Sequence, residues 1–418
     1  MTTSSSPPCD SAPSACGGAG CGGGSCFSRT ARAARPGEPR PTVTEVPDPR
    51  TDRRIGWLAA DSIWWGGRLR TGAALRVGVD GVAKPVPAEL APGDATRRLP
   101  GTLLPALLDA HVHSALVDLG AVRAGGIAAV WDLGGVPATL RELAARAAGA
   151  GVVSAAGASS ASVGGARCGP LSDGADPAEP QLPLIRYAGP FLIAPGGYPS
   201  DRAWAPAGSC REITSPADAG AAVAEARSAG ATLIKVTAHA GGPTLPPPTF
   251  RALTGAAHAA NLPVVVHAEG PGTVAAALEA GADLLAHTPW TESLPDHLVR
   301  ACAARMTWIS TLDIHGYGEP SPAQEVALDN LRRFAGHGGQ VRYGTDLGNG
   351  PLPSGVNPRE LRALRAAGLT PDEILIAATD ATRPALTWIP GGLDLTPSTF
   401  AEVLATARVL DHGVRPNP

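Results

Sequence analysis

The apolar run Leu103–Leu108 leads directly into Asp109-Ala110-His111-Val112-His113. Side chains alternate along an extended backbone, so His111 and His113 point the same way, with Asp109 on their side. Two imidazoles at a strand end make a chelating pair, and neutral imidazole suits zinc. A surface loop holding two histidines by chance is the bland alternative. Three later positions extend the pattern. His267 ends the run Pro263–Val266, His287 ends Leu284–Ala286, and Asp346 closes Tyr343-Gly344-Thr345-Asp346. An isolated histidine at a strand end is more often structural than a ligand, but two of them downstream of a His-x-His are harder to dismiss. A carboxylate at 346 could bind metal and accept a proton from an attacking water. Its competing use is to stabilise a turn between Gly344 and Gly348.

Lys235 belongs to the same set. Of 34 basic residues only Lys84 and Lys235 are lysines, and arginine, alanine, glycine and proline are abundant, a bias of GC-rich coding. A lysine that survives inside Ala231-Thr232-Leu233-Ile234-Lys235-Val236-Thr237 needs its own explanation. Burial favours its neutral amine, which can add carbon dioxide to form a carbamate with two oxygens and a negative charge. Such a group could bridge two cations. The alternative is a lysine that snorkels from the strand end to solvent.

These residues need strand ends that meet. Apolar strand candidates are Leu103–Leu108, Ile127–Trp131, Leu184–Phe191, Ala231–Thr237, Leu262–His267, Asp283–His287, Met306–Thr311 and Gln340–Gly344. Helical patterns such as Pro216–Ala229, Pro248–Ala260, Gly272–Ala280 and Pro322–Ala335 lie between them. Strands separated by helices indicate βα units and a parallel sheet, and eight in one run suggest a closed (β/α)8 TIM-like barrel. In such a barrel the C-terminal strand ends share one mouth, where the polar residues above fall. Before it, Ile55–Ala59, Ala74–Val79, Ala83–Val86 and Thr96–Leu99 read as short strands. Short strand-like pieces return after residue 387. The expected α/β organisation is a tail over 1–53, a small β-unit over 54–102, the barrel over 103–387, and a return to the β-unit over 388–418. The flanking segments would together form a small β-sandwich.

The motifs resemble the amidohydrolase superfamily, in its imidazolonepropionase-like and prolidase-like branch. They are Leu104–His113 (LPALLDAHVH), Gly126–Gly135 (GIAAVWDLGG), Leu233–Val236 (LIKV), Val264–Ala268 (VVVHA), Leu284–His287 (LLAH) and Gly344–Asp346 (GTD). Their combined order and spacing are specific, although no single motif is. The resemblance implies a binuclear zinc-type site of two divalent metal ions. His111, His113 and Asp346 would hold the more buried ion and His267 with His287 the other, bridged by carboxylated Lys235. Asp109 would support the histidines rather than bind metal. A metal-bridging hydroxide would attack a polarised carbonyl, and Asp346 would pass its proton to the leaving nitrogen. The substrate implied is a small peptide, an N-acyl amino acid or a cyclic amide. Homo-oligomers are common in the family.

Two positions depart from the family pattern. Many relatives carry Gly-Gly-His where this chain has Pro195-Gly196-Gly197-Tyr198, and many carry His or an aromatic residue where it has Glu269. Tyr198, His239, Glu269, Asp313 and His315 are candidate substrate contacts. A deaminase of the same fold is the second reading, but such enzymes usually lack the bridging lysine and place Glu where Gly270 stands. A third is a non-catalytic or peptide-tailoring partner in a natural-product pathway, to which only the Cys-rich tail points.

Composition bounds the rest. A chain of 418 residues can hold one large domain and a smaller one. A formal net charge of -3 without a basic cluster gives no call for a nucleic-acid or acidic-membrane partner, and none is expected. Without a long apolar run or a leader pattern, the expected location is the cytoplasm. Residues 1–53 read as a disordered tail in which Cys9, Cys16, Cys21 and Cys26 lack paired metal-knuckle spacing. Val152–Pro180 is long for a barrel loop and is read as mobile or as a cover for the site.

Overall fold

The computed structural model describes residues 56–149 and 181–410. The expectations for the tail over 1–53, for Val152–Pro180 and for the end of the 388–418 segment past residue 410 lie outside the described residues.

Four strands come first: β1 (Gly56–Trp64), β2 (Leu69–Arg70), β3 (Ala73–Val77) and β4 (Ala83–Pro87). The long β5 (Thr96–Val112) follows, then β6 (Ala129–Asp132), β7 (Leu184–Tyr187), β8 (Phe191–Ile193) and β9 (Cys210–Glu212). The series continues with β10 (Ile234–His239), β11 (Val264–Glu269), β12 (Leu284–Leu285), β13 (Thr307–Ile309) and β14 (Gln340–Arg342). It ends with β15 (Thr379–Asp380), β16 (Leu386–Ile389) and β17 (Arg408–Leu410). Each of the eight expected strand runs thus contains a strand or part of one.

The parallel pairing is that of βα units. β5, β6 and β7 pair in parallel, and so do β14, β13, β12, β11, β10, β8 and β9 in that order. The connecting helices begin where the sequence supplies caps. Ser215 accepts from the Asp218 amide ahead of helix Pro216–Ser228, and Ser321 accepts from Gln324 ahead of Pro322–Gly336. Each helix places proline at its first turn, where a missing N–H costs nothing.

The single closed sheet is not what forms. The strands divide between a ten-stranded and a seven-stranded sheet. The run read as one strand over 184–191 breaks at Gly189, with φ +78°, and at Pro190, which has no amide proton. β7 therefore pairs β6, and β8 pairs β10. Backbone bonds still cross both seams. The Thr232 amide donates to the Tyr187 carbonyl at 3.0 Å, and the Ala110 amide donates to Tyr343 at 2.9 Å. At the second seam the chain past β14 turns through Asp346, whose φ of +59° ends extended pairing and leaves one bridge, Val112 to Leu347.

The flanking strands also differ from a sandwich. Among the described residues they form one sheet in the order β17-β16-β5-β1-β3-β4, with Leu58, Ile63, Leu75, Val77, Leu103, Leu386 and Leu410 in one apolar cluster. The reason is β5, which runs unbroken from the small sheet into the parallel layer and pairs β1, β16 and β6 along its length. Its last twelve residues are buried, as expected for a strand covered on both faces.

The large core lies between the parallel strands and the helices. Trp308 on β13 and Phe334 on Pro322–Gly336 are both fully buried, and their rings stack at 3.9 Å with 6° between planes. Trp308→Ala is expected to cost about 3–5 kcal/mol, read as a shift of the urea unfolding midpoint. A loss below about 1 kcal/mol would mean that the stack does not hold the helix to the strand. Among the described residues no helix is long and apolar enough to cross a membrane.

Candidate metal centre

Parallel pairing brings the C-terminal strand ends together, and His111, His113, Lys235, His267, His287 and Asp346 all line one cavity of about 490 Å³. His111 Nε2 lies 3.0 Å from Asp346 Oδ1, and His113 Nε2 lies 3.3 Å from the same oxygen. Ligand atoms of His111, His287 and Asp346 all lie within 4.8 Å of one another.

The other ring nitrogens are occupied. His111 Nδ1 lies 2.9 Å from the Ala286 carbonyl, and His113 Nδ1 lies 3.1 Å from that of Gly134. A carbonyl only accepts, so both Nδ1 atoms carry the proton and donate it. When both rings are neutral they present Nε2 lone pairs to a carboxylate oxygen that has no other hydrogen-bond donor. Lone pairs facing a buried carboxylate repel unless a cation stands among them. The donor set therefore fits a divalent ion.

Electrostatics agree. Burial drives the His111 pKa down to about 4 and that of His287 well below its usual value, so both rings are neutral. His113 differs: burial pushes it down, but the hydrogen bond and charge of Asp346 raise it overall. A proton on His113 can thus stand in for the cation. Burial pushes Asp346 up, but positive charge on or hydrogen bonds from the facing histidines, His111 first, hold it well below the carboxylate range. Its second oxygen accepts from Asn349 Nδ2 at 2.9 Å.

Lys235 is 2% exposed, and burial lowers its pKa to about 7 against the upward pull of Asp346 and Asp132. The lysine does not snorkel to solvent. His267 Nε2 lies 2.9 Å from Glu269 Oε2, and His287 Nδ1 lies 3.0 Å from the Thr311 hydroxyl.

The backbone bends to hold these groups. Thr311, with φ +45°, and Asp346 are non-glycine residues in the left-handed region, which is unfavourable for a β-branched side chain. Gly344 has to be glycine, since a Cβ there would meet the Ile309 side chain and crowd the His111 backbone. Asp109 lies beneath the ligands. It accepts from the His111 amide at 3.1 Å, the Thr345 amide at 3.0 Å and the Thr345 hydroxyl at 2.5 Å. One carboxylate thus ties the end of β5 to the loop carrying Asp346. Asp109→Asn is expected to weaken zinc binding by about 10–100-fold, measured by chelator competition. Unchanged affinity would remove Asp109 from the site.

The expected substrate contacts separate. Tyr198 lines the cavity, stacked on His267 at 4.9 Å between centroids, and its carbonyl accepts from the Thr237 hydroxyl at 2.6 Å. Glu269 and His315 also line it, and His239 stands beside Glu269 at 3.0 Å. Asp313 is a correction. It is 1% exposed and bound by Asn357 Nδ2 at 2.8 Å and Arg359 Nε at 2.9 Å, so it braces helix Pro358–Ala366 and does not face the cavity. Phe191, Trp204, Trp290 and Asn349 line the cavity without having been singled out from sequence. Trp290 stacks on His315 at 5.0 Å, and Trp204, 42% exposed, stands 5.9 Å from His113 at the mouth. Aromatic residues make up only 4% of the chain, and that scarcity was the available signal.

Several solved structures share this architecture. A Xaa-Pro dipeptidase with bound methionine in the active site is similar at a TM-score of 0.64 and 15% identity, over 86% of this chain and 99% of its own. An ochratoxinase from A. niger is similar at 0.64 and 16% identity, over 86% and 94%. An amidohydrolase is similar at 0.60 and 17% identity, over 84% and 94%. No protein-family model and no curated protein sequence matches the chain. The chain has the fold of these structures, as the motif resemblance implied.

Proposed function

We propose that this chain is a metal-dependent hydrolase of the amidohydrolase superfamily, built on a (β/α)8-type barrel. It would cleave a carbon–nitrogen amide bond in a small peptide, an N-acyl amino acid or a cyclic amide. The observation that carries this reading is the buried convergence of His111 Nε2 and His113 Nε2 on Asp346 Oδ1. The dipeptidase, ochratoxinase and amidohydrolase of similar fold support it.

In this reading His111, His113 and Asp346 would hold one divalent ion of zinc type, and His267 with His287 would hold a second. Lys235, once carboxylated, would supply oxygen ligands to them. Such ions, when bound, lower the pKa of water and polarise a carbonyl oxygen. Asp346 accepts the proton of the attacking water and passes it to the leaving nitrogen. Tyr198 keeps its hydroxyl proton, because burial, aided by the charges of Asp346 and Glu269, raises its pKa. It can therefore donate to negative charge that develops on the substrate oxygen.

The Lys235 amine sets a pH dependence. A lysine is charged below its pKa and neutral above it, and only the neutral form adds carbon dioxide. With the pKa near about 7 in the metal-free protein, carbamate formation should rise as pH increases through neutrality. A ¹³C NMR carbamate signal from labelled bicarbonate is expected to grow across that range and to be missing in Lys235→Ala. A signal independent of Lys235 would overturn the assignment.

The activity itself is tested by offering zinc-loaded protein dipeptides, N-acyl amino acids and cyclic amides, each with and without a chelator. Hydrolysis that the chelator abolishes supports the proposal. No turnover of any of the three classes by metal-loaded protein would reject it.

A further inference from the structure

Beyond the metal ligands, the mouth of the cavity holds a second polar group. β10 and β11 pair with Thr237 opposite His267 and His239 opposite Glu269. Side chains two apart on a strand share a face, so Glu269 stands on the face of His267, roughly 6–7 Å further toward the C-terminal end. Its Oε2 lies 2.9 Å from His267 Nε2 and 3.0 Å from His239 Nδ1. Both contacts go to the same oxygen, and Oε1 takes part in neither.

Among the described residues that line this cavity the carboxylates are Asp346 and Glu269, and Asp346 is committed to His111 and His113. Tyr198 and Trp290 line the same cavity as Glu269. Tyr198 lies 4.9 Å from His267 and 5.2 Å from His239, and Trp290 lies 5.8 Å from His267. A carboxylate that shares a cavity with aromatic rings is suited to an ammonium group, which gains charge-assisted hydrogen bonds from the one and cation–π attraction from any ring it reaches.

We infer that Glu269, backed by His239 and flanked by Tyr198 and Trp290, binds the protonated α-amino group of the substrate. The substrate class is then an aminoacyl amide or short peptide with a free N-terminus, rather than an N-acyl amino acid. This rests on the hydrolase reading and narrows it. The α-nitrogen is one carbon from the carbonyl to be cleaved, and Glu269 Oε2 is one hydrogen-bond length from Nε2 of His267, whose ring is proposed as a metal ligand through its other nitrogen. An acylated nitrogen carries no charge, and its acyl group would have to fit against His239 and Tyr198.

The test compares dipeptides with their N-acetyl forms on the zinc-loaded full-length protein. The free amine is expected to be preferred by about 10–100-fold in kcat/KM, the effect of one charge-assisted hydrogen bond. In Glu269→Gln, with metal content checked, that ratio should collapse toward one, mainly through KM. In the wild type the preference should fade as pH rises past about 8, where the substrate amine loses its proton, a dependence the N-acetyl form lacks. The pH arm needs no variant, so it stands if Glu269→Gln fails to fold. Turnover of the N-acetyl form at an equal or greater rate, or a ratio unaltered by Glu269→Gln, overturns the inference and leaves the hydrolase reading intact. Turnover of neither form overturns the inference, and the hydrolase reading falls with it only if N-acyl amino acids and cyclic amides are also left intact.

Discussion

Lys235→Ala is expected to reduce bound metal from about two ions per chain to about one, and to lower kcat/KM by at least about 10²–10³-fold. The argument starts from burial. The amine is 2% exposed in the midst of β10, and its pKa is lowered to about 7, so a large share is neutral near physiological pH. A charged ammonium among neutral imidazoles would oppose a cation, whereas a carbamate would hold two. Alanine would remove the bridge proposed for Lys235 and leave the second ion with His267 and His287 as its proposed ligands. The folded state should not suffer, because a buried amine is costly to keep. The metal-free variant is therefore expected to melt no lower than the metal-free wild type. A short carboxylate such as acetate, soaked into the space, should restore part of the activity. Full metal content and full activity in Lys235→Ala would show that the lysine bridges nothing.

Asp346→Asn is expected to lower kcat by about 10³–10⁴-fold, the upper part of the range for loss of a general base, with a smaller change in KM. Asparagine keeps the shape but loses the charge that His111 and His113 face at 3.0 and 3.3 Å. It also replaces one oxygen by an amide nitrogen that cannot accept a proton. The acidic limb of the wild-type pH–rate profile should vanish with the carboxylate. A variant that kept the wild-type kcat would leave Asp346 a turn residue, the competing use allowed by its place between Gly344 and Gly348.

Much of this site is written locally in the chain. A histidine that closes an apolar run is visible in one dimension, and parallel pairing then gathers His111, His267 and His287 without further instruction. Lys235 stands out because arginine has replaced lysine nearly everywhere else. What sequence reading missed depends on distant partners. Asp313 is a polar residue after a strand end, like Asp346, yet Asn357 and Arg359, 44 and 46 positions later, turn it away from the cavity. Trp204 and Trp290 obey no periodicity that would show which way their rings face. The division of the sheets was partly legible, since Pro190 interrupts the run over 184–191. Reading through that proline produced the expectation of a single closed sheet. The flanking strands depart from the expected sandwich because Thr96–Leu99 and Leu103–Leu108 belong to one strand, which Gly101 lets run through both.

The central claim is that these strand ends hold metal. Its most direct test is elemental analysis of the purified protein alongside amide hydrolysis, before chelation, after it, and after zinc is returned. About two divalent ions per chain are expected, lost with activity on chelation and regained together on adding zinc. Protein that binds no divalent ion at any stage, or that hydrolyses amides equally well when stripped of metal, would contradict the account.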